Sequence, residues 1–272
     1  MAGAHRHPES PREQGRFWGG RARDWAEVQE PFLAPVFEKV LEKAGVGPGI
    51  RVLDIGCGAG GFLRMAAAAG AVVTGLDASE GLLRIARERI PRGEFSLGDM
   101  QHLPFEEASF DVVTAFNSIQ HAPDPEKALA EARRVVRPGG VVAGVVWADE
   151  HGDVARVMDE VRDILTSGRE DEESRQSEET PFAGGESDAL VNLLQAAGLL
   201  PETPVELEIR MEYPDRATML RGFMSPGPVV QAIEKFGETK VSESLVEAMK
   251  QYAQAGGGYR LVNRFALVSS RR

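Results

Sequence analysis

Val52-Leu53-Asp54-Ile55-Gly56-Cys57-Gly58-Ala59-Gly60 joins an apolar run carrying one acid directly to glycines at alternate positions. The apolar run reads as a buried parallel strand. Glycine at 56, 58 and 60 lets the backbone turn tightly and approach a ligand with no Cβ in the way. The helix that follows points its free N–H groups at the same place. The stretch therefore predicts strand, turn and helix around a crevice for a nucleotide-like ligand. Gly56, Gly58 and Gly61 also satisfy the G-x-G-x-x-G spacing of a dinucleotide turn. Two features weigh against a pyrophosphate there. Asp54, two residues before the first glycine, would repel phosphate and suit a cation such as an ammonium or sulfonium. Residues 1–50 also precede the strand, whereas a nicotinamide domain more often opens on its glycine turn.

Working outward, Ala71-Val72-Val73-Thr74-Gly75-Leu76-Asp77 reads as a second strand ending in an acid, 23 residues after Asp54. An acid at about that distance can grip a ribose diol. Phe95-Ser96-Leu97-Gly98-Asp99-Met100 ends a third strand, with Asp99 placed to accept from an adenine amino group and Met100 to pack on the ring. A fourth strand spans Phe110 to Asn117. A helix then starts at Asp124 as N-cap with Pro125 in its first turn and stops before Pro138-Gly139-Gly140, and Val141 to Trp147 forms a buried fifth strand. Val205, Leu207, Ile209, Met211 and Tyr213 alternate with Glu206, Glu208, Arg210 and Glu212, the period of an edge strand with one wet face. Strands alternating with helices imply a parallel sheet covered on both faces.

Leu53 to Gly60, Leu76-Asp77-Ala78-Ser79, Gly98-Asp99-Met100-Gln101-His102-Leu103-Pro104-Phe105 and Arg134-Val135-Val136-Arg137-Pro138-Gly139-Gly140 together resemble a class I S-adenosylmethionine (SAM)-dependent methyltransferase. Order and spacing match over residues 51–148. Within that superfamily the chain is most similar to the small-molecule branch containing ubiquinone/menaquinone biosynthesis and natural-product methyltransferases. The resemblance implies a Rossmann-like α/β fold: a seven-stranded, mostly parallel sheet with helices on both faces and an antiparallel last strand from Tyr259 to Val268. It implies SAM as cofactor, held by Trp25, Asp54, Gly56, Cys57, Gly58, Asp77, Ala78, Leu82, Gly98, Asp99, Met100, Asn117 and Gln120. Trp25 enters as a wall because the corresponding N-terminal segment folds over the cofactor in such proteins.

The chain has 272 residues, 42% of them hydrophobic, without an apolar run of about 18 residues for a membrane span. A net charge of -11 argues against nucleic acid as partner. Cys57 is the single cysteine, so no internal disulfide can form and a reducing cytoplasm is expected; it reads as a packing residue rather than a nucleophile. The five histidines show no metal-ligand spacing, and no metal is expected. Nothing in the sequence fixes an oligomeric state.

Residues 1–16 read as a flexible leader, 17–50 as an N-terminal helical lid, and 51–214 with 259–272 as the core. Within the core, 151–181 reads as a mobile acidic loop, and 215–258 as a helical cap inserted between the last two strands. Substrate contacts are expected from Phe17, Trp147, Tyr213, Phe223 and Met224, where aromatics and methionine can shape an apolar pocket. His121, just beyond the fourth strand on the side where ligands bind such sheets, is the candidate base, with a gate or hydrogen-bond brace as its other role. The expected activity is methyl transfer to O, N or C of a small, partly apolar metabolite. A different SAM-dependent reaction such as a cyclisation, a protein methyltransferase, and a binding protein without turnover are the alternatives.

Overall fold

The computed structural model describes residues 10–148, 152–166 and 186–272. Five parallel strands form its centre: β1 (Arg51–Ile55), β2 (Val72–Asp77), β3 (Glu94–Leu97), β4 (Phe110–Phe116) and β5 (Val136–Trp147). Three further strands are β6 (Leu200–Pro201), β7 (Val205–Tyr213) and β8 (Tyr259–Arg271). The order is β3-β2-β1-β4-β5-β8-β6, with β7 also on β8. β8 runs antiparallel to β5, with Gly144 opposite Val268. The expected fold class is thus observed with eight strands instead of seven. The extra strand arises because β6 and β7 lie in succession along one edge of β8, from Leu200 opposite Arg271 to Tyr213 opposite Tyr259. Pro201 and Pro204 have no N–H to give the ladder, and the edge breaks there.

Successive side chains on each strand point to opposite faces, which divides the core into two layers. Val52, Val112, Val145 and Phe265 face helices α3 (Ala34–Lys43), α4 (Gly61–Ala68), α7 (Asp153–Thr166) and the cap. Leu53, Ile55, Val113 and Val146 face α6 (Pro125–Val135) and α8 (Glu186–Ala196). The helix after β2, α5 (Glu80–Arg89), is capped by Ser79, which accepts from the Leu82 N–H, and α6 by Asp124, which accepts from Lys127. Such caps are worth about 1 kcal/mol each. The cap insertion comprises α9 (Arg216–Phe223), α10 (Gly227–Phe236) and α11 (Glu238–Ala248).

Two expectations change. The leader proposed for 1–16 overlaps α1 (Pro11–Gly19), whose Ser10 and Glu13 form a reciprocal capping box with Pro11 in the first turn; residues 1–9 lie outside the described residues. The acidic loop proposed for 151–181 contains helix α7, with Val157, Val161 and Leu165 buried; residues 167–181 lie outside the described residues.

The N-terminal segment continues through α2 (Ala22–Asp24), a π turn at Trp25–Gln29 and a 3-10 turn at Glu30–Leu33 before α3. It is fastened to the core by Glu30, 6% exposed. One Glu30 oxygen accepts from the Gly61 N–H at 3.2 Å and the other from Arg89 at 2.5 Å. Arg89 also donates to the carbonyls of Ala26 and Ala59. Burial pushes the Glu30 carboxyl up, against the pull of Arg89. Arg89→Met, which strands a buried carboxylate, should lower the unfolding free energy by about 3 to 5 kcal/mol. Adding Glu30→Gln should recover most of it. Urea denaturation at neutral pH measures both, and a loss below about 1 kcal/mol in the single variant would contradict the pairing.

Candidate functional site

The glycine turn is built from backbone. The N–H groups of Gly56 and Cys57 both donate to the Leu76 carbonyl, at 2.7 and 3.1 Å, which pins the turn over the end of β2. Gly56 has φ of +74°, and a Cβ there would lie 2.4 Å from that of Ser118, so no other residue fits. Gly58 donates its N–H to one oxygen of Asp77 and Ser79 donates to the other, both at 2.8 Å. Asp77 is 9% exposed. Burial raises its pKa, while the Gly58 and Ser79 N–H groups draw it back down. Each carboxylate oxygen keeps lone-pair capacity beyond these bonds.

Around this turn lies a cavity of about 390 Å³. One end is lined by Trp25, Gly56, Gly58, Asp77, Ala78, Leu82, Gly98, Asp99, Met100, Asn117 and Gln120, which the sequence reading had grouped together. Asp99 points partly into its own loop, where Gln101 donates to it through both backbone and side chain. Two residues of the same expected set stand elsewhere. Asp54 does not line the cavity: it is 2% exposed, accepts from the Thr114 hydroxyl at 2.7 Å, and is raised well above the usual carboxylate range, first by burial. Cys57 is buried in the hydrophobic core, with its thiol pushed up by desolvation, and is also absent from the wall.

The other end is apolar. Trp147 and Phe223 line it as expected, joined by Phe116 from the end of β4, Ile209 and Met211 from β7, Phe265 from the middle of β8, Phe32 and Leu33 from the 3-10 turn before α3, Met158 from α7 and Val229 from α10. Phe17, Tyr213 and Met224 do not line it. Phe17 is buried on α1 beneath the Arg16 guanidinium, and the face of α1 toward the cavity is instead Pro11, Gln14, Gly15 and Trp18. That i, i+3, i+4, i+7 spacing was readable in the sequence. Tyr213 is 2% exposed and donates its hydroxyl to Gln29 Oε1 at 2.9 Å. Met224 is core. The strand residues carried no local signal, because only the sheet brings them together.

His121 lines the cavity, its ring 5.6 Å edge-on from Trp18, which in turn meets Trp25 at 5.0 Å. Desolvation pulls its pKa down to about 4, which leaves a neutral imidazole near pH 7. Among the described residues, Asn117 Oδ1 and Gln120 Oε1 are buried without a hydrogen-bond partner. Such orphans cost about 1 to 3 kcal/mol each when nothing fills them. A ligand bearing N–H donors satisfies them, and a diol satisfies the free lone pairs of Asp77. SAM, with an ammonium, an adenine amino group and a ribose diol, fits this donor and acceptor set. Leu82 and Met100 offer apolar surface for its base.

Residues 53–144 match the family model described as methyltransferase domain. A protein of Mycobacterium tuberculosis described as uncharacterized is 29% identical over 246 residues, 86% of each chain. Methyltransferase GfsG of Streptomyces halstedii is 36% identical over 141 residues, covering 48% of this chain and 51% of its own. The solved structure of Haemonchus contortus phosphoethanolamine N-methyltransferase 2 in complex with S-adenosyl-L-methionine superposes with a TM-score of 0.59 at 21% identity, over 97% of this chain and 60% of that one. With the fold, the glycine turn and the acceptor-lined crevice, these findings place a methyltransferase domain at residues 53–144 and support a SAM-dependent methyltransferase of the small-molecule kind.

Proposed function

We propose that the enzyme methylates O, N or C of a small, uncharged, largely apolar acceptor held in the far end of the cavity. The observation that carries this reading is that end's lining: Phe116, Trp147, Met158, Ile209, Met211, Phe223 and Phe265, with no Asp, Glu, Lys or Arg among them. A charged acceptor would lose its hydration there without a partner, at a cost of several kcal/mol. Bound SAM supplies an electrophilic methyl group. Asp77, Asn117 and Gln120 would hold the cofactor, while Trp18, Trp25 and the cap keep water out. Positioning of this kind lowers barriers by roughly 7 to 11 kcal/mol in well-oriented systems. His121, drawn down to about 4, is a weak base, which favours an acceptor atom whose nucleophilicity does not depend on proton removal by His121. His121 then serves as brace and gate more than as proton acceptor. Enclosure by lid and cap argues for a free small molecule over a protein side chain. Among the described residues no helix is long and apolar enough to cross a membrane, and the single cysteine supports a cytoplasmic setting.

An acceptor screen read by mass tests the proposal: a product heavier by one methylene unit, with S-adenosylhomocysteine released, supports it, and an isomerised product without methyl gain contradicts it. Asp77→Ala should weaken SAM binding by about 1.5 to 3 kcal/mol through loss of charge-assisted hydrogen bonds, measured by titration calorimetry; unchanged affinity would remove Asp77 from the ribose site. His121 gives a pH prediction. Its folded pKa of about 4 lies below the ordinary 6.5, so the unfolded chain takes up a proton that the folded one refuses. Its contribution to stability is complete above about pH 6.5 and is lost as pH falls toward 4. His121→Gln should flatten the stability curve in that window relative to wild type in urea titrations at stepped pH, and parallel curves would contradict the desolvated neutral state.

A further inference from the structure

Gln29 is the last residue of the π turn at Trp25–Gln29, a rare geometry that often marks functional positions. It is 8% exposed, and what it exposes lines the cavity beside Phe32, Leu33 and Phe223. Three elements converge to hold its amide. Tyr213, at the end of β7, donates its hydroxyl to Gln29 Oε1 at 2.9 Å. The Tyr213 ring is itself fixed edge-on by Phe32 at 5.2 Å and tilted against Phe223 at 5.6 Å. Gly222 on α9 leaves the room: a Cβ there would stand 2.8 Å from Gln29 Oε1 and 2.9 Å from Tyr213 Cε1. With its oxygen taken by the tyrosine, the amide turns its NH2 edge to the cavity. That NH2 has no hydrogen-bond partner among the described residues, nor is it sealed off as a buried orphan.

We propose that Gln29 is a specificity-determining residue that donates a hydrogen bond to an oxygen of the acceptor, with Tyr213 and Gly222 acting through it as positioning residues. The inference rests on the apolar acceptor end proposed above and adds one polar requirement: the acceptor carries a carbonyl, ether or hydroxyl oxygen set in an otherwise apolar body. A site built to donate to an oxygen discriminates strongly against the analogue that lacks it, because the donor is then left unpaired.

The test uses two probes of one shape, 2-acetylnaphthalene and 2-ethylnaphthalene, titrated by equilibrium dialysis into the full-length protein saturated with S-adenosylhomocysteine. Wild type should bind the ketone about tenfold more tightly, the size of one hydrogen bond to a buried donor. Gln29→Met, similar in volume but without the amide, should bring the two probes to equal affinity while leaving 2-ethylnaphthalene and S-adenosylhomocysteine binding unchanged. A purely structural Gln29 would lower both probes together. Tyr213→Phe keeps the amide but frees it, and should shrink the preference to about threefold. Both probes binding equally to wild type, or a preference that survives Gln29→Met, overturns the role of Gln29 and spares the apolar pocket. Should Gln29→Met lose S-adenosylhomocysteine binding, Tyr213→Phe decides, and an undiminished tenfold preference there overturns the proposal. Neither probe binding to wild type while S-adenosylhomocysteine binds overturns the apolar acceptor end and this inference with it.

Discussion

The Asp77 carboxylate, held between the N–H groups of Gly58 and Ser79, is the constraint on which the site depends. It ties the turn after β1 to the loop after β2, so the two sides of the crevice cannot drift apart without breaking a charge-assisted bond. The Leu76 carbonyl reinforces the same junction by accepting from Gly56 and Cys57. The position asks for a carboxylate that is desolvated yet still able to accept from a ligand. Two fixed N–H donors offset part of that desolvation. Asp54 and Glu30 lie buried behind the same turn, where desolvation raises both carboxyls and Arg89 partners Glu30.

The second organising feature is that the N-terminal segment belongs to both halves of the cavity. Gly15 packs so closely on the Ala78 carbonyl that a Cβ would lie 1.8 Å from its oxygen, which seats α1 directly on the loop after β2. The same segment reaches the cap through ion pairs of Arg16 with Glu234 and of Arg21 with Glu238. Arg221 of α9 returns the contact by bridging Asp24 and Glu27. Single exposed pairs like these contribute little to stability, but together they hold the N-terminal segment against α9, α10 and α11. Trp18, near the end of α1, then faces His121 across the cavity wall.

The central strands and their glycine turn were legible because the information is local: a buried parallel strand is a continuous apolar run, and the turn needs residues with positive φ. The helix start at Asp124-Pro125 was legible for the same reason. α1 was hidden by composition, since the prolines and histidines near the N-terminus suggest a loose leader, although Ser10 and Glu13 already had capping-box spacing. Phe17 and Trp18 are adjacent, and choosing the cavity-facing one needs the phase of a helix whose partner is unknown from sequence. Tyr213 was expected to contact the acceptor, but the alternation of β7 cannot say that its ring is buried off the cavity wall with its hydroxyl spent on Gln29. Asp54 had the right charge on the right strand, yet its pleat turns it toward Thr114. The apolar end was least legible, because Phe116, Trp147, Ile209 and Phe265 meet only once β4, β5, β7 and β8 are aligned.

The glycine spacing on its own suits two cofactor classes, and titration calorimetry of the purified protein with SAM, S-adenosylhomocysteine and NAD in parallel separates them. Micromolar binding of SAM and S-adenosylhomocysteine with no heat from NAD is the predicted result. NAD binding without SAM binding would mean that Asp77 and the glycine turn serve a dinucleotide, and would contradict the assignment as a methyltransferase.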